Sequence, residues 1–166
     1  MSTASIAGTE PWYRSLNANQ WKTMIASNIG WMFDGYETFA LILTVGVALH
    51  QLLPASELSH TQAFAGTVIG ITLLGWGVGG VIGGILADYL GRRRTMILAI
   101  LAYSLTTGLS ALAWDWVSFA LLRFVVGVAI GSEWATGASM TAEVWPDHAR
   151  GRGAGLMQCG LGIGFF

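Results

Sequence analysis

The chain has 166 residues, of which 54% are hydrophobic and only 10% are charged. Soluble domains carry about 25% charged residues, so this composition does not fit an ordinary soluble domain, and a net charge of −1 gives no basic surface for nucleic acid. The single cysteine, Cys159, excludes a disulfide framework.

Residues 1–22 are largely polar and include Glu10 and Arg14. Residues 1–19 lack the apolar stretch of a cleavable signal peptide. We interpret 1–22 as a cytoplasmic N-terminal segment, after which the first span acts as an uncleaved insertion signal.

Long apolar runs follow, and a membrane-spanning helix needs about 20 such residues. The pattern predicts four complete spans, at 23–50, 62–87, 95–113 and 116–142. A fifth run, from Gly153 to Phe166, would be roughly 21 Å long at ~1.5 Å per residue, which is short of a ~30 Å hydrocarbon core. We therefore expect an all-α membrane protein in which 23–166 form a partial helical bundle, and a chain that is a fragment of a longer protein.

The segment Gly84–Arg94, here called the basic hinge, separates two runs without Asp, Glu, Lys or Arg. These runs are 58–87 and 95–114. A short charged turn between two such runs predicts two membrane helices joined by a cytoplasmic loop, 88–94. The segment Glu143–Arg152 repeats this pattern and predicts a second charged connection, whose acid and bases could pair with the first.

The basic residues predict the orientation of the chain. Seven of the eight Lys and Arg residues lie before the first span, between spans two and three, or between spans four and five. The loops at 51–61 and 114–115 contain none. The positive-inside rule then places the N-terminus and the basic hinge in the cytoplasm of a multi-pass protein of the plasma or inner membrane.

Four charged residues fall inside predicted spans: Asp34, Glu37, Arg123 and Glu133. A charge at the bilayer centre costs at least ~2.5–3.5 kcal/mol, so such residues pair or line a wet cavity. Counting from the span ends, Glu37 lies roughly 9 Å and Arg123 ~10 Å from the outer surface. We therefore expect Arg123 to pair with Glu37, Asp34 or both. The set is either a structural ion pair or a titratable carboxylate facing a substrate-binding cation.

Glu133 lies ten residues beyond Arg123, ~15 Å along a helix, and cannot pair with it directly. We expect it near the cytoplasmic third of the span. A snorkelling acid, or one paired with a loop, is an equally good interpretation.

Glycines in the second span resemble a dinucleotide motif at 75–80, but a mid-span position lacks the strand that this motif requires. Their spacing by four predicts small-residue stripes for helix contact, formed by Gly75, Gly79 and Gly83, and by Gly80 and Gly84. The three histidines form no ligand cluster, and no catalytic constellation is readable. The sequence thus predicts no metal site, no cofactor and no enzyme activity.

Several motifs resemble the major facilitator superfamily. The pattern Gly84-x-x-x-Asp88-x-x-Gly91-Arg92-Arg93 is similar to the family signature between helices two and three, with Tyr89 where a basic residue is common. Arg123-x-x-x-Gly127 resembles the fourth-helix signature, and Glu143 with Arg150-Gly151 resembles the loop after that helix.

A narrower resemblance is to sialate:proton symporters. It rests on Pro11-Trp12-Tyr13-Arg14, Leu16-Asn17, Gln20-Trp21, Asp34-Gly35-Tyr36-Glu37, Glu133, Trp145-Pro146, His148 and Arg150. The usual first-helix motif in that group is Asp-Gly-Phe-Asp, so Tyr36 and Glu37 are departures that could alter substrate choice.

The resemblance implies the N-terminal part of a twelve-helix, proton-coupled symporter of an organic carboxylate such as sialate, a lactate-like acid or an aromatic acid. Its partners would be the substrate anion, a proton, the lipid bilayer and the missing C-terminal half. Proton coupling would fall to Asp34 and Glu37, and substrate binding to Arg123, Tyr36 and Gln158. Gating would involve Gly84, Asp88, Gly91, Arg92, Arg93, Glu133, Glu143 and Arg150.

Three alternatives remain open at this point: a helical membrane scaffold that does not transport, a carrier of sugars or other metabolites from the same superfamily, and a membrane-embedded enzyme. The scaffold would have no need of charges at mid-membrane depth. The enzyme would need a metal or nucleophile cluster.

Overall fold

A computed structural model describes residues 11–166, and residues 1–10 of the expected N-terminal segment lie outside it. Five helices account for most of the described chain: α1 (Ala18–Leu52), α2 (Thr61–Leu90), α3 (Arg92–Ser110), α4 (Trp116–Val144) and α5 (Asp147–Gly164). Two short 3₁₀ helices, Trp12–Ser15 and Ala55–His60, precede α1 and α2. All five predicted apolar runs are therefore helical.

Local sequence sets where α1 and α4 begin. Asn17 and Gln20 form a reciprocal capping box, in which Gln20 N donates to Asn17 Oδ1 at 2.9 Å and Asn17 N donates to Gln20 Oε1 at 2.7 Å. Asp115 and Ser118 do the same at α4. Hydrogen bonds from the Ser118 side chain and backbone hold the pKa of Asp115 below its usual range, which keeps a negative charge at this helix N-terminus.

Three segments of the described chain are long and apolar enough to cross a membrane: Ala18–Leu52, Ala55–Leu90 and Trp116–Val144. Length and hydropathy therefore support three of the four predicted complete spans. α3 has 19 residues, begins with Arg92, Arg93 and Arg94, and carries several Ser and Thr residues along its length. Its mean hydropathy is therefore too low to identify it as a span by composition.

Both predicted charged connections are shorter than expected. α2 continues through Leu90 and α3 begins at Arg92, so Gly91 alone joins them. Its φ of 87° lies in the region that glycine adopts without strain. Likewise α5 begins at Asp147 rather than near Gly153, because Ala149, Gly153 and Met157 face the bundle at helical spacing while the charged residues between them face outward.

α4 is the centre of the bundle and contacts each of the other four helices. Its closest neighbour is α2, and glycines on both helices make that approach possible. An added Cβ would collide with backbone atoms of the facing helix at five glycines, namely Gly75, Gly79, Gly83, Gly127 and Gly131. This confirms the first predicted glycine stripe. In the second stripe, a Cβ added at Gly80 or Gly84 would meet no atom within 4 Å, so these two glycines do not mediate a contact within the described residues.

α1 and α5 form a second close pair of the same kind, through Gly35, Gly160 and Gly164. The α1–α4 interface differs from both. There, buried ionisable side chains meet across the interface, beside apolar ones such as Leu41 of α1 and Phe119 of α4. This interface contains the candidate site.

Candidate functional site at the interface of the first and fourth helices

Arg123 of α4 forms a buried ion pair with Glu37 of α1. The Arg123 Nη1 donates to Glu37 Oε1 at 2.6 Å, and the two side chains are 6% and 14% exposed. Thr107 of α3 donates its hydroxyl to the same oxygen at 2.9 Å. Of the pairings predicted for Arg123, the structure shows the one with Glu37. The pair joins three helices at one point in an otherwise apolar region.

Not every N–H group of the Arg123 guanidinium has a hydrogen-bond partner among the described residues. Its centre lies 5.4 Å from the ring centroid of Phe119, and its Nε has no hydrogen-bond partner among the described residues. An open cavity of about 240 Å³ borders the pair, with Thr44, Thr107 and Ser110 among its lining residues. On the α2 side, the space is only about 20 Å³, room for about one water molecule. The larger open space beside Arg123 therefore lies on the side that α3 borders.

Asp34 lies on the same helix as Glu37 but does not pair with Arg123. Its carboxylate is fully buried and lies within hydrogen-bonding reach of the carboxylate of Glu133, which is also fully buried. Glu133 is therefore in the interior, and not at a helix end as a snorkelling or loop-paired acid. A bare backbone at Gly30 makes room for it, because a Cβ there would collide with the Glu133 carboxylate.

The three residues predicted to bind substrate are not gathered in one place. Gln158 accepts a hydrogen bond from Trp134 Nε1 at 3.3 Å and lines a cavity of about 220 Å³ between α4 and α5, together with Arg150. Tyr36 is 62% exposed on the surface of the bundle. Neither residue lines the cavities that border Arg123.

Arg92, the first residue of α3, bridges α2 and α4 at the end of the bundle that carries the basic hinge, here called the basic end. Its guanidinium lies 2.8 Å from Asp88 Oδ1 and 3.0 Å from Glu143 Oε1. Arg150 pairs with Asp147 at 2.7 Å within α5. The predicted charge contact between the two connections therefore exists, and it runs from Arg92 to Glu143.

Other residues assigned to gating are placed differently. Gly91 is the junction of α2 and α3, Arg93 is exposed, and Gly84 faces open space. Glu133 belongs to the buried contact with Asp34 and not to the charge network of the basic end.

We expect Glu143→Gln to weaken the link between α2 and α4 only slightly. Asp88 and Glu143 are 67% and 54% exposed, and ion pairs of this kind contribute about 0–1 kcal/mol. The loss should be measurable in low salt as a lower thermal transition of the detergent-solubilised full-length protein, and it should vanish in high salt, which screens exposed charges. A destabilisation that persists in high salt would contradict an exposed electrostatic link.

An aromatic cluster at the basic end was not predicted as a unit. Trp12, Trp21 and Trp145 have ring centroids 5.8–6.3 Å apart, and the guanidinium of Arg152 lies 5.4 Å from the Trp12 ring. Trp145 Nε1 also donates to Gln20 O at 3.2 Å. The signal was present, since the tryptophans belong to the motifs shared with sialate symporters, but sequence alone did not bring them together.

Comparison with known proteins agrees with this architecture. The family model of the Major Facilitator Superfamily matches residues 24–166. The sialic acid transporter NanX of Escherichia coli (strain K12) is 30% identical over 92% of this chain and 36% of its own length. A probable 4-methylmuconolactone transporter of Cupriavidus pinatubonensis is 32% identical over 93% and 35%. The niacin transporter NiaP of Acinetobacter baylyi is 32% identical over 82% and 30%.

The chain thus spans about a third of the length of these curated relatives. The family match extends from Met24, near the start of α1, to the last residue, and it includes both carboxylates of α1 and both charged residues in the interior of α4. The helical bundle, the apolar segments and the match over nearly the whole chain agree, and the chain belongs to the Major Facilitator Superfamily.

Proposed function

We propose that the chain is part of a secondary active transporter that carries a small organic carboxylate together with protons. The observation that carries this proposal is the buried pair of Arg123 and Glu37, a cation and its partner held between two apolar helices next to an open cavity. A structural ion pair needs no such cavity. Sialic acid and niacin, which two relatives are named for, are both carboxylic acids.

In this proposal the substrate carboxylate and the Glu37 carboxylate compete for the same guanidinium. The buried Nε of Arg123 has no hydrogen-bond partner among the described residues, and Nη1 is bound to Glu37. The substrate carboxylate therefore binds the guanidinium as Glu37 releases it. Once displaced, Glu37 is a buried carboxylate without a cation, and its charged form is disfavoured. It takes up a proton, and the site stays close to neutral while substrate is bound.

Asp34 is the second candidate for proton coupling, because it is fully buried and has no cation within hydrogen-bonding distance among the described residues. The rest of the proposal follows from the resemblance to sialate:proton symporters. The N-terminus and the basic end face the cytoplasm, and the Arg92–Glu143 contact opens and closes as the carrier changes conformation. The second half of the carrier would supply the other wall of the pathway.

The test uses the full-length protein in vesicles, with labelled sialic acid, niacin and lactate and an inward proton gradient. Arg123→Lys keeps the charge but loses the guanidinium fork, and we expect KM to rise about tenfold or more, the equivalent of one charge-assisted hydrogen bond. We expect Glu37→Gln and Asp34→Asn to lose acid-driven uptake.

Glu57→Gln is the matched control, because Glu57 is an exposed carboxylate in the 3₁₀ helix before α2. It should leave uptake unchanged. An unaltered KM in Arg123→Lys would remove Arg123 from the substrate site. Full acid-driven uptake in both Glu37→Gln and Asp34→Asn would remove proton coupling from α1.

A further inference from the structure

We propose that Asp34 and Glu133 form a proton-binding site of their own, in which the two carboxyl groups share one proton between α1 and α4. This site is separate from the Arg123–Glu37 pair. It assigns Glu133, a residue that neither the pairing of charges nor the gating network accounts for, to the binding of an ion.

Both carboxyl groups are buried. Asp34 and Glu133 have no exposed surface, and none of their four carboxylate oxygens has a hydrogen-bond donor among the described residues. Carboxylate oxygens only accept hydrogen bonds. An ionised carboxylate buried in this way, without a donor, is strongly disfavoured, so the pair must hold something that donates.

The two carboxyl groups are also neighbours. The Glu133 carboxylate occupies the space that a side chain at Gly30 would fill, and Gly30 lies one turn along α1 from Asp34. The two groups therefore lie side by side. Two carboxyl groups can be joined by a hydrogen bond only when one of them carries a proton, and two like charges so close cannot both remain ionised. One proton placed between them satisfies an oxygen on each helix and removes the repulsion.

The charged groups around the two carboxyl groups provide no free cation among the described residues. From α1, Glu37 adds a further negative charge one turn away, and from α3, the phenol of Tyr103 lies near the same carboxylates. The nearest cation on α4, Arg123, is already bound to Glu37. The charged residues of α2 and α5 are confined to the basic end in the described helices. The environment therefore favours a bound cation, and two neighbouring carboxyl groups without another donor suit a proton.

The pair also has a mechanical role. Gly30 and Gly137 bring α1 and α4 together on the basic-end side of Asp34, where the Ser27 hydroxyl donates to Gly137 O at 3.4 Å. A shared proton holds the two helices in this arrangement. Loss of the proton leaves two ionised groups at contact distance, which pushes the helices apart or admits water.

Infrared difference spectroscopy of the full-length protein tests the site without any substrate. We expect a protonated-carboxyl C=O band at neutral pH that is lost in the Asp34→Asn/Glu133→Gln double variant. Either single variant should shift the pH midpoint of that band, and Glu57→Gln should not. A band that survives unchanged in the double variant would overturn the proposal. So would a band that disappears when Na⁺ is added at constant pH, since that would make the site a sodium site.

Vesicle transport gives a second readout, which rests on the proposed function. We expect Asp34→Asn and Glu133→Gln each to lose acid-driven uptake while keeping substrate exchange at equal pH, and the double variant to be no worse than either. Acid-driven uptake that survives in Glu133→Gln but not in Asp34→Asn would contradict a shared proton. If the infrared result holds but the unmodified protein shows no acid-driven uptake, the proton site stands and the proposed symport fails.

Discussion

Replacing Arg123 by leucine is expected to lower the free energy of unfolding by about 3–5 kcal/mol. The substitution leaves Glu37 buried at 14% exposure without its cation, and removing one partner of a buried pair carries a cost of this size. Thermal unfolding of the full-length protein in detergent measures the loss.

The control removes both charges together. An Arg123→Leu/Glu37→Gln double variant should recover most of the lost stability, because buried ion pairs are often no more stable than apolar replacements. It should nevertheless fail to take up substrate. A double variant as unstable as Arg123→Leu would mean that the arginine stabilises the bundle mainly through its packing against Phe119.

The second large effect is expected at the α2–α4 contact. A Cβ added by Gly79→Ala would collide with the carbonyl group of Val128, and helix backbones cannot shift as a flexible side chain can. Overpacking of this kind costs about 1–3 kcal/mol, and the same thermal measurement should detect it.

Gly77→Ala is the matched control, since Gly77 lies two residues away on the same helix and a Cβ added there would meet no atom within 4 Å. It should be neutral or stabilising by up to about 1 kcal/mol, because alanine favours a helix more than glycine does. Equal losses in the two variants would mean that glycine acts on α2 through helix propensity and not through close packing.

The sequence predicted the helices well because long runs without charge leave few alternatives. It predicted the start of α5 poorly, since Asp147, Arg150 and Arg152 suggested a solvated loop. The missing information was present in another form: Ala149, Gly153, Met157, Gly160 and Gly164 are the buried residues of α5, and they recur at helical spacing. Small residues contribute little to a hydrophobicity count, so charge dominated the interpretation.

The candidate site was predicted in part. Counting residues along the two helices predicted that Arg123 pairs with Glu37, Asp34 or both, because Arg123 and Glu37 lie at similar distances from the outer end of their spans. The same counting placed Glu133 near the cytoplasmic third of its span and did not indicate its contact with Asp34, since it measures the height of Cα atoms and ignores the reach of the side chain. It also could not know that Gly30 leaves room for a carboxylate to lie along α1. Which acid meets which partner depends on the rotation of α1 about its axis, and that rotation is set by tertiary packing.

The contrast between the helix interfaces has a mechanical consequence. Glycines allow close backbone contact between α2 and α4, and between α1 and α5. The two helices of each pair therefore move together as a rigid unit. Between these pairs, α1 meets α4 partly through ionisable side chains such as Glu37 and Arg123, which can change charge. A change in the number of protons bound at this interface therefore changes how firmly the two glycine-joined pairs are held together.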